Sequence, residues 1–220
     1  MSQRKQWDHF FDFIASVPVD KESLDFFSRL PIVGPYLAES SPYQLIPFAS
    51  RYDKSTTENK FFSQTINSPD TIPRALCLLR RDTLFLNPKF EESLQGPANP
   101  DIAVFVQVGP ALNGFEDVAH GGIVASLLDE TLSFCVEAWR CSFDLAAKRP
   151  AAQQTRLYTA NINISYRAPA TTPGIIGITA WLRWMDGRKW FLEARMTDQH
   201  GKVLAEAQTL YVSQKPGAVI

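Results

Sequence analysis

Histidine and cysteine are scarce in this chain, three of each among 220 residues. His9, His120 and His200 stand far apart, so no cluster with metal-ligand spacing is present and no metal site is expected. Cys77, Cys135 and Cys141 are odd in number and form no C-x-x-C pair, which argues against a disulfide framework and for a reducing compartment, the cytoplasm. Three motifs are missing: G-x-G-x-x-G, the phosphate-cradling G-x-x-x-x-G-K-[ST], and the G-x-S-x-G elbow of serine hydrolases. Their absence leaves no cofactor to expect. No apolar run approaches the roughly 18 residues that a membrane span needs. Asp8 and Asp12 interrupt the first apolar stretch and spoil a secretory or mitochondrial leader. The net charge of -1 supplies no field for nucleic acid, and no basic stripe interleaves with aromatics.

What is present is an ordinary globular composition, 45% hydrophobic and 20% charged. The length suits one sizeable core with an extension. Residues 1–60 are read as that extension and 61–215 as the main domain. In the extension, residues 3–30 read as two amphipathic helices broken at Pro18, and 31–56, with Pro31, Pro35, Pro42 and Pro47, as an irregular wrap. Its aromatic residues serve either as a cover for the main domain or as a lid over an apolar pocket.

Within the main domain, Phe61–Ile66 reads as a strand, Ser68-Pro69-Asp70 as the cap of a helix running to about Arg81, residues 87–100 as a loop, and Ile102–Val108 as a strand. A long apolar helix follows from Gly121, then a connection over Arg140–Gln154. From Thr155 the pattern turns to period two through four strands, with breaks at 168–174, Asp186-Gly187 and 198–201. The fold class is α+β: an antiparallel sheet, apolar on one face, wrapped around one central helix.

The stretch Asn113 to Gly122 carries the chemistry. His120-Gly121-Gly122 opens the apolar helix, although each glycine costs about 1 kcal/mol of helix stability relative to alanine. Bare backbone at a helix N-terminus lets a carbonyl oxygen reach free N–H groups at the positive end of the helix dipole, an oxyanion hole. The alternative is that the glycines allow close packing of helix on sheet. Further along, Ser126, Glu130, Ser133 and Glu137 share one helix line and read as a solvent-facing stripe. Asp129 differs: its helical neighbours Gly122, Ala125, Leu132 and Val136 are small or apolar. A carboxylate so placed loses solvation and becomes a better base. Asp129 is therefore the candidate acid, although it borders the polar stripe. His120 is the one histidine near the site, as a structural cap or as a catalytic group.

His120-Gly121-Gly122, Asp129 nine residues after the histidine, and Thr159-Ala160-Asn161 opening a polar and apolar alternation to Arg167 together resemble the hotdog-fold thioesterases of the hydroxybenzoyl-CoA thioesterase superfamily, in particular the phenylacetate-pathway-like branch. The resemblance spans about residues 61–213. It implies a homodimer or tetramer with active sites at subunit interfaces, acting on acyl-CoA or acyl-carrier-protein thioesters. By the same resemblance Asp129 is general base or nucleophile, Thr159 orients the attacking water, and the Gly122 N–H holds the thioester oxygen beside Gly121. His120 and Asn113 shape the turn and polarise the thioester, and Arg167 lies near the CoA. Family members commonly carry the upstream polar residue six positions before the histidine, where this chain has Gly114, so Asn113 needs a one-residue adjustment. Two other functions share the fold: a dehydratase, hydratase or cyclase relying on His120, and a non-catalytic acyl-ligand binding protein.

Overall fold

A computed structural model describes residues 10–54, 56–84, 96–148 and 156–214. The chain runs α1 (Phe10–Ser16), α2 (Lys21–Phe27), α3 (Gly34–Leu37), β1 (Tyr43–Ile46), β2 (Ala75–Arg80), α4 (Arg81–Leu84), β3 (Ile102–Val108), β4 (Asn113–Phe115), β5 (Val118–Ala119), α5 (Gly121–Ala146), and β6 to β9 (Leu157–Tyr166, Gly174–Asp186, Lys189–Asp198, Val203–Ser213). Seven strands form one antiparallel sheet in the order β1-β2-β3-β7-β8-β9-β6, with β4 and β5 as a separate ribbon. The period-two alternation puts Leu192, Ala194, Ala205 and Ala207 on the concave face, where Leu128, Leu132, Cys135 and Trp139 of α5 fill the same core. This is the hotdog arrangement, a sheet wrapped on one long helix. The Asp186-Gly187 hairpin forms as its sequence dictates, with Gly187 at φ 55.

The helix read over residues 70–81 is in fact a turn followed by β2. Its apolar run Ala75–Leu79 is buried on both faces: Leu76 and Leu78 pack with Phe27 and Val33, while Cys77 and Leu79 lie in the α5 core. A strand covered on both sides loses the alternation that would identify it. The wrap over 31–56 contains β1, four residues between Pro42 and Pro47 on the edge of the sheet, the position where flanking prolines are tolerated. Phe61–Ile66 is not a strand: Phe61–Thr65 forms a π-helical turn closed by the Ile66 N–H donating to Phe61 O at 2.9 Å. Arg140–Ala146 continues α5 rather than starting the connection. Residues 3–9 of the first helix, the loop portion 87–95 and the connection over 149–154 lie outside the described residues.

The extension covers α5. Phe10 of α1 and Phe48 both meet Phe134 edge-on, with ring centroids 5.2 and 5.6 Å away. On the sheet side α5 is pinned by Asp101, 1% exposed, which accepts from Arg80 at 2.6 Å, Trp139 Nε1 at 2.9 Å and the Leu182 N–H at 2.8 Å. No helix among the described residues is long and apolar enough to cross a membrane.

Candidate active site

α5 begins at His120, whose backbone is extended (φ -60, ψ 137) and whose Nδ1 accepts the Gly122 N–H at 2.9 Å. The ring thus takes the place that serine or aspartate usually fills at a helix start. This changes the part expected of Gly122: its N–H, assigned to the thioester oxygen, is engaged by the neighbouring imidazole. Ile123 N–H and Val124 N–H donate to His120 O, whereas the Gly121 N–H has no partner among the described residues. Tyr166, which closes β6, donates to Gly121 O at 3.0 Å and holds the first turn from the other side.

Two turns along the helix, Asp129 is half-buried and held through Oδ1. Thr159 Oγ1 donates to it at 3.0 Å and Tyr211 OH lies 3.2 Å from it. Cross-strand register explains the pairing, because Thr159 of β6 sits opposite Tyr211 of β9, next to the bulge at Thr159/Asn161. Tyr211 OH also lies 2.8 Å from Ser133 Oγ, and burial together with the Asp129 charge pushes its phenol well above the usual range. Tyr211 therefore stays a neutral donor. Its role was missed in the sequence, though it occupies an inward position of a strand facing Ser133 and Asp129. Asp129 Oδ2 has no protein partner among the described residues.

Glu130, read as solvent-facing, is covered by the extension. Ser50, in the 3-10 turn Ala49–Arg51, donates to Glu130 Oε1, and burial raises the Glu130 carboxyl. Asn113 opens β4, and its Oδ1 accepts from Thr172 Oγ1. The register of β4 on β5 shifts between Asn113 and Phe115. Arg167, exposed, lies one residue past Tyr166 and pairs with Glu206 at 3.1 Å.

Beside the helix start lies a cleft of about 590 Å³ whose lining includes Asn113, His120, Gly122 and Ser126 together with Phe61 and Ile66. Of the residues expected at the site, Asn113, His120 and Gly122 line this cleft, whereas Gly121 and Asp129 are not among its lining residues.

Residues 116–205 match the thioesterase superfamily model. Over 91% of its length the chain is 26% identical to Verlamelin biosynthesis protein B of Lecanicillium sp, of which it covers 92%. It is 28% identical over 111 residues to the bovine acyl-coenzyme A thioesterase THEM4, half of this chain and 40% of that protein. Among solved structures, the BH2602 protein from Bacillus halodurans with CoA is similar over 92% of this chain and 99% of that one, at 17% identity and a TM-score of 0.47.

Proposed function

We propose that the protein hydrolyses acyl thioesters, of CoA or of an acyl-carrier protein, with Asp129 as the general base or nucleophile. The observation that carries this is the cradle of Asp129: two hydroxyls engage Oδ1 and leave Oδ2 for water or for the carbonyl carbon. Thr159 fixes the carboxylate and orients the water. The Gly121 N–H, at the positive end of a 26-residue helix, receives the developing oxyanion. An imidazole that accepts at Nδ1 carries its proton on Nε2, so His120 offers a second polarising donor, and this favours hydrolysis over a reaction needing His120 as base. Asn113 borders the carbonyl, and Arg167 meets the phosphates of CoA. The match to the thioesterase superfamily and the named activity of the bovine relative support the same chemistry. Three free, buried thiols suit the cytoplasm.

Helix geometry adds a homodimer to this reading. Gly121 and Asp129 are eight residues apart, about 12 Å along the axis at 1.5 Å per residue. A reacting carbonyl must lie about 3 Å from both an oxyanion donor and the attacking group. One helix therefore cannot serve one carbonyl with both, whereas two antiparallel helices related by a two-fold axis near Ala125 set Gly121 of each opposite Asp129 of the other. The outer strand β6, with Thr159–Asn161 exposed, supplies an unpaired edge beside that axis.

Thiol release from a panel of acyl-CoAs tests the chemistry. Asp129→Asn keeps the hydrogen-bond acceptor for Thr159 but removes the charge, and kcat is expected to fall by about 100- to 10,000-fold with the fold and oligomer unchanged. Near-normal hydrolysis by this variant would sink the assignment.

A further inference from the structure

We infer that the π-helical turn Phe61–Thr65, together with Ile66, forms the acyl-chain subsite and sets which chain lengths the protein accepts, an inference that rests on the thioesterase reading above. The turn lies outside residues 116–205, the stretch that matches the thioesterase superfamily model.

The wall is built for contact with a ligand. A π turn joins residues five apart, and here the Ile66 N–H donates to Phe61 O, which sets both side chains on one cleft. Phe62 between them turns inward, 6% exposed, against Phe48 at 6.5 Å between ring centroids. Downstream of the turn, Gly109 N–H donates to Thr71 O at 2.7 Å and Ala111 N–H to Asp70 O at 2.9 Å. A side chain at Gly109 would stand 2.4 Å from Asp70 O, so this close approach requires glycine. Phe61 is 42% exposed, a large apolar ring left at the cleft rather than in the core.

The chemistry of the lining names the occupant. Leu112 and Ile123 face the same space as Phe61 and Ile66, and apart from His120 the cleft has no ionisable side chain. Thr65, Thr71, Asn113, His120 and Ser126 also line the cleft, but the stretch of Phe61, Ile66, Leu112 and Ile123 is apolar, and an unsubstituted apolar acyl chain gains by burial against it. The His120 and Gly122 end adjoins the proposed oxyanion donor, so the carbonyl lies there and the chain runs past Ile123 toward Phe61. Phe61 and Thr65, both exposed, then limit its reach.

Two substitutions at these exposed positions leave the core intact. Phe61→Ala lengthens the subsite and is expected to move the preference toward longer chains, by about tenfold in the ratio of long- to short-chain kcat/KM. Thr65→Trp is expected to move it toward shorter chains by a similar factor. The same proteins are measured by calorimetry with free fatty acids of increasing length, which reports the subsite without turnover. Opposite shifts of the two variants in hydrolysis and in binding support the assignment. Unchanged profiles in both variants, with a normal circular dichroism spectrum, overturn it. Shifted fatty-acid binding in a protein that hydrolyses no thioester upholds the subsite and removes the hydrolase reading, so the two claims fail separately.

Discussion

A methyl group added at Gly122 would stand 3.0 Å from His120 Nδ1, and one added at Gly114 would stand 2.9 Å from His120 Cδ2. Both glycines therefore make room for the imidazole, and Gly114 could not carry the polar residue that sits one position earlier as Asn113. Gly121 is under no such demand, since a methyl there would lie 3.7 Å from the Tyr166 ring, an ordinary contact. Its bareness leaves access to its N–H. Far from the cleft, Asp101 shows the opposite economy: every oxygen is engaged, and burial raises its carboxyl in spite of Arg80. Removing it strands a guanidinium that is 3% exposed. Asp101→Ala is expected to cost about 3–5 kcal/mol, because the uncompensated charge outweighs the bond itself. Thermal denaturation checks this, with a fall in midpoint of roughly 6–20 °C for a chain of this size.

Between elements, the contact most open to test is the seating of the extension on α5 through Ser50 and Glu130. The groups acting on this carboxyl are Ser50, Asp129, Lys54 and Glu58, and burial is the largest influence. A carboxyl raised in the folded state binds a proton that the unfolded chain has released, so stability falls as pH rises from the ordinary glutamate range through the raised value. Glu130→Gln keeps a hydrogen-bonding partner for Ser50 without the charge. The variant is expected to be more stable than the parent at neutral pH and to lose that advantage in acid; denaturant titrations at several pH values measure it, and a parallel pH dependence in both proteins would refute it. Glu130 also marks the limit of sequence reading. The four-residue line Ser126, Glu130, Ser133 and Glu137 was legible, but what covers it comes from a turn eighty residues earlier, which no periodicity reports. The four strands after Thr155 and the helix they wrap were plain, because each keeps one face on the core. β2 was hidden by burial on both faces, and the π turn by aromatic residues that suit a strand as well. Of the candidate site residues, Asp129, Thr159 and His120 were expected from pattern and resemblance, and the Asp129–Thr159 contact needed the structure. Tyr211 needed the register of β6 on β9, and the engagement of Gly122 needed the rotamer of His120.

At the scale of the whole molecule, the proposed homodimer, which rests on the separation of about 12 Å between Gly121 and Asp129, would make one site the work of two chains. That arrangement predicts complementation between defective subunits. Gly121→Pro removes one N–H at the first helical position, where proline is well tolerated, and the extended backbone of His120 already suits a residue before proline. Asp129→Asn removes the proposed base. Each homodimer is expected to be nearly inactive, lacking the same component in both sites. A mixed dimer gathers both lesions into one site and leaves the other whole. Random exchange gives half mixed dimers, each with one working site of two, so an equimolar mixture should recover about a quarter of the parental rate. Unfolding and refolding the two variants together, against the same treatment applied to each alone, measures the recovery by thiol release. If each chain instead supplied a complete site, every chain in the mixture would carry a lesion of its own, and mixing would restore nothing.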